Sequence, residues 1–263
     1  MGIVNITPDS FSDGNQYLHT DAAIQHAQQL VADGAHILDL GAESSRPGAE
    51  PVSADLELKR LLPVIEALLP LNVPLSIDTF KPEVMRAVLA AGADIINDIT
   101  GFTQPAAIQA VAQSNCGVCI MHMQGEPRTM QQQPHYTHLH QEVQQFLAAQ
   151  ALQLRQAGVA PERIMLDPGL GFGKTAQHNY VLLRDLSQLQ VEDYPWLIGL
   201  SRKSMIDAVV HKAPQDRVAG SVAGMLAAVA RGAAVLRVHD VAESADALNV
   251  WLAVEQGLTH ESA

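Results

Sequence analysis

Apolar positions in this chain recur on two length scales. Eight short runs rich in Val, Ile and Leu each end in a small polar cluster: GIVNITPDS, HILDLGAESSR, PLSIDTFK, DIINDITG, GVCIMHMQ, IMLDPGLGFGK, PWLIGLSRK and AVLRVHD. Between them the apolar residues space out to a helical period. The pattern predicts helices over 21–33, 54–69, 139–157, 176–189, 221–231 and 242–255, and two more opened by Pro82 and Pro105. Thr20 and Ser53 are predicted caps, and Gly34, Gly92, Gly158, Gly232 and Gly257 sit where helices stop.

Continuous apolar runs alternating with amphipathic helices indicate parallel strands covered on their outer face. Eight units of roughly 30 residues predict one closed (β/α)8 TIM barrel spanning 1–263. In that architecture the strand ends share a mouth, so Asn5, Asp39, Asp78, Asn97, His122, Asp167, Lys203 and Arg237 should converge. The irregular stretches 7–16 and 125–137 follow strand ends and are expected at the mouth as lids. The first strand starts at residue 2, which predicts that a segment plugging the far end of the barrel is absent.

Composition narrows the function. Aromatic residues make up only 4% of the chain, so aliphatic side chains must fill the core. A net charge of −12 argues against a nucleic-acid surface, while leaving room for a small anionic substrate met by a few local cations. No run nears the roughly 18 apolar residues of a membrane span, and the opening residues do not read as a basic-then-apolar leader. A soluble cytoplasmic protein is expected. Cys116 and Cys119 enter a strand instead of opening a helix, so they are expected to be structural.

Several motifs lose force on inspection. In GLGFGKT the first glycine of a Walker A loop would fall on Pro168, which also lacks an N–H for phosphate. His135, His138 and His140 lack partners at metal-ligand spacing and read as surface histidines. The strand-end acids Asp39, Asp78 and Asp167 are different, because a carboxylate ending an apolar run needs a partner. With Asn97 and Lys203 they suggest a pocket whose flat donor and acceptor edge suits a heterocycle. Arg46, Arg202, Lys203 and Arg237 stand at strand ends among only 16 Lys and Arg. Arg237 and His239 together suit a phosphate or diphosphate, unless Arg237 pairs with Asp240 or Glu43. Asn5 offers a neutral oxygen to a Mg²⁺ bridging such an anion.

The segments GIVNITPDSFSDG, LGAESSRPGA, SIDTFKPEV, GADIINDITG, MHMQGEPRTMQ, LDPGLGFGKT, GLSRKSMI and RVHDV closely resemble the dihydropteroate synthase family, the folate-pathway transferases targeted by sulfonamides. The resemblance covers residues 2 to about 250. It implies condensation of 6-hydroxymethyl-7,8-dihydropterin diphosphate with 4-aminobenzoate, Mg²⁺ assisting diphosphate departure, in a homodimer. By the same resemblance Asp78, Asn97, Asp167 and Lys203 are catalytic and, with Met121, line the pterin pocket. Asn5, Ser45, Arg46, Arg237 and His239 meet diphosphate, with Asn5 also on the metal. Phe11, Ser45, Pro47, Phe172, Lys203 and Ser204 form the 4-aminobenzoate pocket. Ser45 departs from the family's usual Thr, keeping the hydroxyl and losing a methyl. A methyltetrahydrofolate-type pterin methyltransferase, or a non-catalytic pterin-binding homologue, are the competing readings. The first would have no need of Arg237 and His239.

Overall fold

The computed structural model describes residues 1–6, 16–44, 50–126 and 129–257. Eight parallel strands form one sheet in sequence order: β1 (Gly2–Asn5), β2 (Leu38–Gly41), β3 (Leu75–Asp78), β4 (Ile95–Asp98), β5 (Gly117–Met121), β6 (Ile164–Asp167), β7 (Trp196–Ile198) and β8 (Ala233–Leu236). Closure comes just past β8. Ile3 N donates to Val238 O at 3.0 Å and Val238 N to Met1 O at 3.0 Å, which joins the last strand to the first. The predicted (β/α)8 barrel is what forms.

Helices α1 (Gln16–Ala32), α2 (Ala54–Leu68), α3 (Pro82–Ala90), α4 (Pro105–Ala112), α5 (Leu139–Gln156), α6 (Ala176–Arg184), α7 (Ser204–Val210), α8 (Val218–Val229) and α9 (Val241–Gln256) cover the outside. Their local causes are legible. Ser53 Oγ accepts from Leu56 N at 3.3 Å to cap α2, and Pro82 and Pro105 open α3 and α4, where an N–H would lack a partner. Thr175 and His178 cap α6 reciprocally.

Three helix expectations need correction. Thr20 lies inside α1, which begins at Gln16. Helix α6 ends at Arg184, and Leu186–Gln188 form a separate 3₁₀ turn. The connection from β7 to β8 holds two helices in place of the one expected over 221–231. The seven residues of α7 are too few to display a helical period.

Strand alternation sorts side chains to two sides. Leu38, Leu40, Leu75, Ile77, Ile96, Val118, Ile120 and Leu166 join the apolar layer beneath the helices. Asn5, Asp39, Asp78, Asn97, Cys119 and Asp167 alternate with these residues and face the lumen. A β-bulge between β7 and β8 pairs Trp196 with Ala233 but Leu197 with Val235. That skipped residue brings Arg237 level with Gly199 on the lumen side; an unbulged ladder would present Leu236 there.

Candidate active site

The mouth is built from adjacent strand ends. Asn5 pairs in register with Gly41, Gly41 with Asp78, and Asp78 with Asn97. A Cβ on Gly41 would lie 3.9 Å from Asp78 Oδ2 and 4.0 Å from Asn5 Oδ1, so both polar tips lean over the glycine. Asn97 is buried, and its Oδ1 has no hydrogen-bond partner among the described residues. A buried acceptor without a donor is costly, and a ligand N–H would relieve that cost. Its neighbour Asp98 faces outward and closes a turn, accepting from Thr100 N at 2.7 Å and Phe102 N at 2.9 Å.

Arg237 reaches across the lumen. Its Nε donates to Asp39 Oδ2 at 2.6 Å and a terminal nitrogen to Asp78 Oδ2 at 3.1 Å. Ser76 Oγ donates to the other Asp39 oxygen at 2.6 Å. Asp39 was expected at the rim, yet it is the second residue of β2, fully buried below the mouth, and spent on this network. Burial pushes the Asp78 carboxyl up to about 7, the Arg237 charge only partly opposing. Arg237 therefore pairs with neither Asp240 nor Glu43. Arg202 pairs with Asp240 instead, and Lys81 bridges Glu43 and Glu57.

The opposite wall is the loop from β6 to α6. Asp167 is buried, accepts from Gly169 N at 2.7 Å, and has its pKa raised by burial against the pull of Lys203. Lys203 stands at the start of α7, five residues beyond β7, and not on a strand end as expected. Its stem reaches back so that Nζ donates to Leu170 O at 2.6 Å and lies 4.6 Å from the Phe172 ring centroid. Burial lowers its pKa to about 8, Asp167 resisting. A Cβ on Gly199 would be 3.8 Å from this Nζ and 3.7 Å from Arg237 Cβ, which places the Lys203 ammonium and the Arg237 stem over the same glycine.

The GLGFGKT loop inverts the chemistry of a phosphate loop. Gly169, Gly171 and Gly173 all have positive φ. The carbonyls of Gly169 and Phe172 point at the buried Lys174 Nζ, at 3.1 and 3.0 Å, and His122 Nδ1 lies 2.8 Å away. Glycine is required at 169, where a Cβ would sit 1.8 Å from His122 O. Burial pulls His122 down to about 3 and Lys174 down to about 7. The sequence places His122 at the mouth but gives Lys174 no role; a lysine directly after three alternating glycines, in a loop that fails the Walker spacing, was the available signal.

Of the remaining expected residues, Met121 pairs in register with Asp167 and is buried. Ser204 is exposed at the first turn of α7. Among the described residues His239 shares no hydrogen-bond partner with Arg237. Its Nδ1 lies 3.0 Å from Ser201 Oγ, and burial lowers its pKa to about 4. Phe11, Ser45, Arg46 and Pro47 lie outside the described residues. Among the described residues no three His, Cys, Asp or Glu side chains group to hold a metal ion. His135 and His138 are exposed, while His140 meets Asp185 at 3.1 Å. Both cysteines are free and buried.

Residues 1–239 match the family described as "Pterin binding enzyme". The chain is 46% identical over 251 residues to the dihydropteroate synthase of Escherichia coli (strain K12), covering 95% of this chain and 89% of that protein. A crystal structure of Burkholderia cenocepacia dihydropteroate synthase complexed with 7,8-dihydropteroate superposes with TM-score 0.89 at 55% identity, covering 97% of this chain and 90% of the other. The Xanthomonas albilineans dihydropteroate synthase with 4-aminobenzoic acid does so with TM-score 0.91 at 48% identity, covering 97% and 92%.

Proposed function

The chain belongs to the pterin-binding enzymes, and among them to the dihydropteroate synthases; on that premise we propose how its residues share the reaction. The activity is a transfer. The bond from the pterin methylene carbon to the diphosphate oxygen breaks, the amine of 4-aminobenzoate bonds to that carbon, and the amine gives up one proton.

Asn97 Oδ1 and the Asp167 carboxylate act as acceptors for the N–H edge of the pterin, and Met121 packs beneath it. The observation that carries this reading is the unpartnered, buried Asn97 oxygen facing the same lumen as Asp78 and Asp167. Asp78 offers negative charge to a ring that becomes electron-poor as diphosphate departs. A proton on Asp78 would release one hold on Arg237, freeing that guanidinium for phosphate oxygens beside His239 and Asn5. Ser45 and Arg46 complete the anion site. Phe172 gives a face for the aryl ring, closed by Phe11 and Pro47. Lys203 and Ser204 meet the substrate carboxylate, and Lys203 is shared with the pterin side.

Mg²⁺ fits this donor set only as an ion carried on the substrate. No carboxylate cage exists among the described residues, and Asn5 supplies a single neutral oxygen, in keeping with a metal that keeps its waters and binds phosphate. When bound, it would offset charge on the departing diphosphate. The decisive experiment follows diphosphate release with and without 4-aminobenzoate and Mg²⁺. Release that depends on both supports the assignment; release indifferent to the amine would contradict it.

We assign the outer face of α7 and α8 to a second copy of the chain. Tyr180, Leu183, Met205, Ile206, Val209 and Val210 line an open apolar groove of about 380 Å³, and Val209 is 62% exposed. Helix α8 reads VAGSVAGMLAAV, nearly without polar residues. Light scattering should report a dimer and Val209→Glu a monomer; a monomeric parent would reject the pairing. No helix among the described residues is long and apolar enough to cross a membrane, and two free thiols accord with a reducing cytoplasm.

A further inference from the structure

Lys174 takes no part in the scheme above, yet it is among the most deeply buried charged side chains of the chain, 3% exposed. Burying a lysine is costly unless each of its donors is matched. Here they are. Nζ lies 2.8 Å from His122 Nδ1, 3.1 Å from Gly169 O, 3.0 Å from Phe172 O and 3.3 Å from His122 O. Two of these partners belong to the residue following β5, and two to the loop following β6. The ammonium thus draws together segments about fifty positions apart in sequence.

What that loop carries is the reason for the design. Leu170 O accepts from Lys203 Nζ at 2.6 Å, and the Phe172 ring stands 4.6 Å from the same nitrogen. Leu170 lies directly after one Lys174 acceptor, and Phe172 is itself the other. The loop also lacks stiff alternatives, since Gly169, Gly171 and Gly173 permit many backbone states. Tyr136 reinforces its far end by donating to Gly173 O at 2.8 Å.

We infer that Lys174 is a positioning residue: by fastening the Gly169–Phe172 turn to the end of β5, it fixes the aryl seat formed by Phe172 and Lys203. This rests on the reading of Phe172 and Lys203 as the 4-aminobenzoate pocket. The pterin side depends on the clamp less: Asp78 and Asn97 belong to β3 and β4, which Lys174 does not touch, while Asp167, which the turn does touch through Gly169 N, is held by its own strand β6. Neutral His122, held so by burial and by the lysine, accepts at Nδ1 and completes the clamp.

The test is a split in steady-state constants. Lys174→Met should raise KM for 4-aminobenzoate about tenfold, with KM for the pterin diphosphate within about twofold. A merely structural lysine would lower the folded fraction and leave both KM values unchanged; that result overturns the inference. Should Lys174→Met fail to fold, His122→Leu decides. It removes one partner of four and should shift the same KM about threefold in the same direction, no shift being a refutation. Phe172→Ala separates the two layers of argument. If it leaves KM for 4-aminobenzoate unaltered, the aryl-seat reading fails; if it raises that KM while both clamp variants do not, only the role of Lys174 falls.

Discussion

On the outer face of β2, Leu38 and Leu40 are fully buried in the apolar layer beneath the helices. One residue away, on the inner face, Asp39 is equally buried and holds an ion pair with Arg237 at 2.6 Å. The contrast repeats around the barrel: Ile77 outside and Asp78 inside, Ile96 outside and Asn97 inside, Leu166 outside and Asp167 inside. The outer layer gains free energy by leaving water, at about 25 cal/mol per Å² of apolar surface. The lumen spends part of it, because carboxylates and cations taken out of water rarely recover their hydration from one another. The same eight strands therefore carry stability on one side and chemistry on the other.

Lys203→Ala should separate the two faces most sharply. Removing the cation shared by both substrate pockets should lower kcat/KM roughly 10²- to 10³-fold, with the unfolding midpoint close to the parent's. Initial rates beside thermal melts check this, and a rate near the parent's would sink the role given to Lys203. Ile65→Ala should do the reverse. It opens a cavity under α2, costing about 2–5 kcal/mol in denaturant titration, while turnover per folded molecule stays unchanged.

Asp78→Asn sharpens the comparison through pH. In the folded chain Asp78 holds its proton more tightly than its ordinary value of 3.8, at about 7. Its contribution to stability is thus complete at acid pH and lost as pH rises through about 7. Melting curves of the parent from about pH 5 to pH 8 should show this decline, and the asparagine variant should lack that share of it while losing activity. Equal slopes would mean Asp78 ionises normally. The smallest effect is expected at the surface: Arg155→Ala breaks an ion pair with Glu192 whose partners are 40% and 60% exposed, and should cost at most about 0.5 kcal/mol.

Much of this division was legible in the sequence. Repetition of strand, polar end and helix located the mouth, and Asp78, Asn97, Asp167 and Met121 fall on the lumen side by strand parity alone. What parity could not give was height within the barrel, which depends on register between strands; hence Asp39 was placed at the rim. The partners of Arg237 are separated from it by 198 and 159 positions, beyond any local pattern. The bulge that turns it inward is a property of pairing between β7 and β8. The loop of Lys174 resembles an anion nest in sequence, and only the carbonyls of Gly169 and Phe172, turned onto its Nζ, reveal that it gathers a cation.

The most direct test of the polar lumen as the pterin site is calorimetric titration with 6-hydroxymethyl-7,8-dihydropterin lacking its diphosphate. The parent should bind it, Asp167→Asn should weaken binding roughly 10- to 100-fold through loss of a charge-assisted hydrogen bond, and Ile65→Ala should bind as the parent does. Equal affinity in the parent and Asp167→Asn would place the pterin elsewhere and contradict the account.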